Sequence, residues 1–130
     1  MIVLVCGGRN FGKVPLMFTK MDEELAAEQR LKPVAVLDRL KDSLPVTRIV
    51  QGGATGADTL AAEWARRNKI SVRTYVADWD VWGKAAGFKR NERMLEEGKP
   101  DLVVAFKGGK GTKHMVELAK RAGVRVLEEV

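Results

Sequence analysis

The stretch Gln51-Gly52-Gly53-Ala54-Thr55-Gly56-Ala57-Asp58 decides the fold. Behind it lies Arg48-Ile49-Val50-Gln51, a short run with β-branched residues that reads as a strand. Ahead of it Leu60, Ala61, Trp64 and Ala65 recur at helical spacing as far as Asn68. The local order is strand, glycine turn, helix. It occurs twice more: Ile2 to Cys6 meets Gly7-Gly8-Arg9-Asn10-Phe11, and Leu102 to Phe106 meets Lys107-Gly108-Gly109-Lys110-Gly111-Thr112. Two further apolar runs, Val72 to Ala77 and Val124 to Leu127, complete a set of five. Runs that are apolar on both faces predict a parallel sheet covered on both sides, hence an α/β fold.

The intervening segments read as helices. Met115, Leu118, Ala119 and Ala122 form a stripe, with Gly123 as its C-terminal cap and Thr112 as N-cap. Lys84 to Glu97 is a helix ended by Gly98 and Pro100. Val36, Leu37, Leu40 and Leu44 fit a helix on the sheet, and Met17, Met21 and Leu25 an earlier one separated from it by Pro33. Thr19 to Lys32 is charged enough to be a solvated extension.

The chain has 130 residues, which fits one domain spanning 1–130. With one cysteine, Cys6, and one histidine, His114, neither a disulfide framework nor a multi-cysteine or multi-histidine metal centre is expected, and no metal or cofactor is assigned. No apolar run approaches a membrane span, so no membrane partner is expected. Met1 to Cys6 is too short and lacks the basic flank of a signal peptide, and a reducing cytoplasm is the expected location. The formal net charge of +6 suits an anionic partner only if the cations gather at one place.

The glycines suggest that place. Gly7, Gly8, Gly52, Gly53, Gly56, Gly108, Gly109 and Gly111 fall in the three turns, out of 13 glycines in all. In a parallel sheet these turns emerge together on the carboxyl edge, where ligands of open α/β folds bind. Glycine admits a ligand to backbone N–H groups, and a helix starting there presents its positive end. Steric need in tight turns explains one such pair; three pairs on one edge suggest an anion site. The spacing matches neither a dinucleotide fingerprint nor a Walker A loop. Thr55 and Asp58 read as caps of the middle helix.

A second segment adds chemistry. Asp78-Trp79-Asp80-Val81-Trp82-Gly83-Lys84-Ala85-Ala86-Gly87-Phe88-Lys89-Arg90-Asn91 holds two tryptophans and three cations. Trp82 would stack a base, Lys84 and Arg90 would neutralise phosphate, and Asn91 would bond a base edge. The plainer alternative is that Trp79, Trp82 and Met94 only pack a helix on the sheet. Trp64 reads as core.

Together these motifs resemble the YspA-like branch of the SLOG superfamily, related to the LOG phosphoribohydrolases and to DNA-processing protein A. The resemblance rests on Gly7-Gly8-Arg9-x-Phe11, Gly52-Gly53-Ala54-x-Gly56-Ala57-Asp58 with Ala61-x-x-Trp64-Ala65, Trp82-x-Lys84-x-Ala86-Gly87-x-x-Arg90-Asn91-x-x-Met94, and Gly108-Gly109-x-Gly111-Thr112. It covers nearly the whole chain, with Thr19 to Pro33 as an apparent insertion. It implies a single-domain Rossmann-like three-layer sandwich with a mainly parallel five-stranded sheet and a nucleotide pocket. LOG enzymes continue the last motif as Gly-Gly-x-Gly-Thr-x-x-Glu; here Met115 stands at the glutamate position and Glu117 lies on another helical face.

Three functions stay open at this stage. The chain binds a nucleotide-derived small molecule through the glycine turns, Arg9, Lys84 and Arg90. Alternatively it hydrolyses an N-glycosidic or phosphate bond in such a ligand, with Asp58 and Arg90 as the catalytic candidates and Glu117, Asp78 and Asp80 as other carboxylates. Or it holds single-stranded nucleic acid through Lys89, Lys107, Lys110 and Lys113, a reading weakened by the scarcity of stacking rings. A homo-oligomer is also open. His114 reads as a solvent-exposed bystander.

Overall fold

A computed structural model describes residues 1–129. Five strands, β1 (Ile2–Cys6), β2 (Arg48–Gln51), β3 (Ser71–Thr74), β4 (Leu102–Phe106) and β5 (Arg125–Glu129), form one sheet in the order β3-β2-β1-β4-β5. Every pairing is parallel, and Leu4 of β1 faces Val50 on one side and Val103 on the other. The sheet is therefore wholly parallel, and the chain is Rossmann-like. The order turns back between β1 and β4, the place where such sheets open a crevice at their carboxyl edge.

Strand alternation splits the core into two layers. Val3, Val5, Ile49 and Val104 pack against Val36, Leu37 and Trp64 from α1 (Lys20–Ser43) and α2 (Ala57–Arg67). Leu4, Val50 and Val103 pack against Met94, Met115 and Ala119 from α4 (Ala86–Gly98) and α5 (Lys110–Arg121). A short α3 (Trp79–Trp82) precedes α4. The strands apolar on both faces are β1, β2 and β4; β3 and β5 lie at the edges and are largely exposed. Trp64 is core, as its sequence suggests, and its indole N–H donates to Asp38 Oδ1 at 2.8 Å.

The expected break at Pro33 is absent: α1 is one 24-residue helix with Pro33 buried inside it. Proline costs a helix interior about 3 kcal/mol. Here Ala26, Val36 and Leu37 are buried on both sides of it, and a capping box between Thr19 and Asp22 fixes the start. Arg30 Nη1 donates to Gly12 O and Gly12 N donates to Gln29 Oε1, each at 2.8 Å, so the first half is tied to the loop after β1.

The helix expected over Lys84 to Glu97 is divided. Gly83, at φ +53°, ends α3; a single 3-10 turn over Gly83–Ala85 follows, and α4 starts at Ala86. It ends on Lys99, which is left-handed at φ +47°. The third strand is shorter than its apolar run, and Val76 lies beyond it, exposed. Among the described residues no helix is long and apolar enough to cross a membrane.

Candidate functional site

The three glycine turns meet at the carboxyl edge and lock into one another. Gly8 N donates to Lys107 O at 2.9 Å, joining the first turn to the third. Thr55 Oγ1 donates to Arg9 O at 3.0 Å, joining the second to the first. A Cβ on Gly7 would lie 2.6 Å from Ala57 Cβ, one on Gly56 would overlap Gly8 O, and one on Gly108 would overlap Thr112 Oγ1. Gly7, Gly8, Gly56 and Gly108 thus serve chain-to-chain approach. Gly109 and Gly111 differ: a Cβ on either would meet nothing within 4 Å.

Above the locked turns is a cleft of about 540 Å³. Gly7, Gly8 and Arg9 line it from the first turn, Gly52, Gly53, Ala54 and Asp58 from the second, and Gly109, Lys110, Gly111 and Thr112 from the third. Lys84, Arg90 and Asn91 close it from the α3–α4 segment. Of the residues assigned to small-molecule binding from sequence, four lie outside it. Phe11 is buried, its ring centroid 5.5 Å from that of Phe106. Gly56 is consumed by the lock, and Gly108 borders a second cavity of about 320 Å³. Trp82 is half exposed, with Lys89 Nζ 5.0 Å from its ring centre. Trp79, at the start of the same short helix, lines the cleft instead.

Neither proposed helix cap holds. The N-caps of α2 and α5 are Gly56 and Gly109, without a side-chain cap bond at either. Asp58 instead turns back into its own loop: Oδ2 accepts from Gly52 N and from Ala54 N, both at 3.2 Å. Its carboxyl is almost fully buried, and burial pushes its pKa up to about 6, against the lowering effect of those two N–H groups and of Arg90. Of the carboxylates named from sequence, Asp58 is the one lining this cleft. Glu117 borders the second cavity, and Asp78 accepts from Val81 N to cap α3. Met115 is fully buried against the sheet, so the residue at the LOG acid's position faces the core.

Arg90 lies on the backbone of Gly52. Its Nη1 donates to Gly52 O at 2.8 Å and its Nε to Asn91 Oδ1 at 3.2 Å; a Cβ on Gly52 would sit 2.5 Å from Nη1. Desolvation lowers its pKa while Asp58 supports its charge. Asn91 is buried, and its amide donates to Gly111 O at 3.0 Å while lying 3.1 Å from His114 Nδ1. The bond to Gly111 O braces the third turn, and Asn91 also lines the cleft. His114 does not line the cleft; it is partly rather than fully exposed, packs 4.3 Å from the Phe88 ring, and burial lowers its pKa.

The sequence reading missed the apolar side of the cleft, made by Val76, Ala77, Trp79, Phe88 and Met94, and it missed Cys6 at the end of β1. Cys6 had a readable signal, as the last residue of an apolar run before a glycine pair. The same cleft is also lined by Arg9, Lys84, Arg90 and Lys110, the last at the start of α5, so apolar rings and cations share it.

Residues 33–82 match the family described as YAcAr: YspA, cpYpsA-related SLOG family. The chain is also similar to "Gene 61 protein" of Mycobacterium phage D29, 38% identical over 100 residues, which cover 72% of this chain and 79% of that protein.

Proposed function

The chain belongs to the YspA, cpYpsA-related SLOG family, whose membership points to nucleotide-related binding or processing, and we propose that its carboxyl-edge cleft holds a nucleotide or nucleotide-derived small molecule as a sensor or processing module. The start of α5 carries the proposal. The first-turn N–H groups there are uncapped, Gly109 and Gly111 leave open space beside them, and Arg9 and Lys110 line the same cleft. A phosphate fits such a position by hydrogen bonding and charge together. Trp79 and Phe88 offer faces to a base, replacing the role first given to Trp82.

One observation favours a hydrolytic version. Asp58 lines the cleft with a pKa near 6, so it can exist in either protonation state near neutral pH, as a general acid or base requires. Its target would be an N-glycosidic or phosphate bond of the same ligand.

The test is a thermal-shift screen with nucleoside mono- and diphosphates, dinucleotides and short oligonucleotides, followed by chromatographic recovery of any stabilising compound. The expected result is a small-molecule shift that Lys84→Ala reduces about tenfold in apparent affinity, the usual loss for one charge-assisted contact. Lys84 is the variant of choice because it is exposed, whereas Arg90 also braces Gly52. Recovery of intact compound supports binding alone; release of base that Asp58→Asn abolishes supports hydrolysis. Stabilisation by oligonucleotides only, weakening steeply with salt, would overturn both.

A further inference from the structure

The β5 edge carries a self-complementary code. Among the described residues β5 pairs with β4 on one side and with nothing on the other. Its sequence is Arg125-Val126-Leu127-Glu128-Glu129, without proline, and Leu127 is 37% exposed. An open edge of this kind is a template for another strand.

We propose that β5 pairs antiparallel with β5 of a second copy of this chain, joining two five-stranded sheets into one continuous sheet. Symmetry narrows the register. A two-fold axis perpendicular to a sheet keeps each face on its own side, and side chains alternate along a strand. The axis must therefore pass through a residue paired with itself, because pairing neighbours across it would require both to lie on one face. Three centres then remain near the middle of β5. Centring on Glu128 sets that carboxylate against its own copy. Centring on Val126 sets Arg125 against Leu127. Centring on Leu127 sets Leu127 against Leu127, Val126 against Glu128, and Arg125 against Glu129 twice, once on each side of the axis. That last register is the one in which opposite charges face across the strands, and it buries the exposed leucine at the centre.

Nearby side chains leave Arg125 and Glu129 available. Lys120 Nζ is 3.3 Å from Glu128 Oε2, on the α5 side of the strand, so Glu128 already has its cation. Neither Arg125 nor Glu129 has an ion pair among the described residues. Glu128 also borders the second cavity together with Lys113, Glu117 and Lys120 of α5, so that groove runs along the same side of the molecule.

Sedimentation velocity from low to high micromolar protein tests the pairing. The expected result is a dimer whose dissociation constant rises about tenfold or more in Arg125→Glu and in Glu129→Arg, since each places like charges face to face twice. The double variant Arg125→Glu with Glu129→Arg restores the opposite pairs and is expected to dimerise like the parent. Leu127→Lys is expected to sediment as a monomer. Circular dichroism and melting temperature, read alongside, separate lost pairing from lost folding. A monomer at all concentrations, or a dimer indifferent to both single charge reversals, would overturn the proposal. Nucleotide binding is not involved in any arm, so this result and that of the ligand screen are independent.

Discussion

The turn between β2 and α2 and the turn between β4 and α5 have much the same composition and opposite states. Both begin with a glycine pair, both carry a third glycine before or within the helix start, and both lead into a helix without a side-chain cap. In the first, the protein supplies its own anion: the Asp58 carboxylate accepts from Gly52 N and Ala54 N. In the second, the corresponding ground is clear. Among the described residues no carboxylate folds back, and Gly109 and Gly111 border open space. Glycine pairs alone therefore do not mark a phosphate site; what matters is whether a side chain already occupies the positive ground they create.

The largest effect should come from filling the occupied side. Gly56 has φ +82°, and a Cβ there would overlap Gly8 O. Gly56→Ala combines a left-handed backbone with a backbone clash, and a loss of about 4 kcal/mol is expected in urea unfolding. A loss under about 1 kcal/mol would mean that the first and second turns are not locked together.

Next comes the internal anion itself. Asp58 has a folded pKa of about 6 against an ordinary 3.8. Between these values the folded state binds more protons than the unfolded one, so stability is greatest below pH 3.8 and falls as pH rises through about 6. The difference of about 2.2 units corresponds to roughly 3 kcal/mol, an upper figure for a group this buried. Asp58→Asn should flatten that part of the profile and leave the protein more stable than the parent at pH 7, the two converging near pH 4. Parallel profiles for the two proteins would show that the carboxylate carries no such burden.

The smallest effect on stability should come from the open turn. Gly111→Ala adds a methyl group to empty space in the first turn of α5, where alanine favours the helix by up to about 1 kcal/mol. Melting temperature should hold or rise slightly, while stabilisation by the nucleotide should shrink. Equal loss of stability in Gly111→Ala and Gly56→Ala would erase the contrast between the two turns.

Much of this fold was legible because β1, β2 and β4 are apolar on both faces, a pattern that parallel central strands share. The edge strands were legible as strands, but their exposure was not, since Val72 and Val126 look like their central counterparts until their neighbours are known. Pro33 misled because local propensity speaks for a break, while the burial of Val36 and Leu37 against a distant sheet decides for continuity. At the site, the cations and glycines could be located from sequence alone. Their division of labour could not, because it depends on which turn touches which. Trp79 and not Trp82 lines the cleft, although both belong to the same short helix, and only the placement of that helix against its neighbours separates them.

Cys6 gives the cleft an internal clock. The thiol sits where β1 meets the locked turns, is 8% exposed, and is kept protonated by burial, with a pKa raised to about 12. A thiol reagent in solution meets almost no thiolate, so its reaction depends on how often the floor of the cleft opens. The rate of modification thus counts fluctuations that equilibrium stability averages away. A molecule seated over Gly7 and Gly8 would slow that count in proportion to the time it spends bound, whether or not it is ever cleaved.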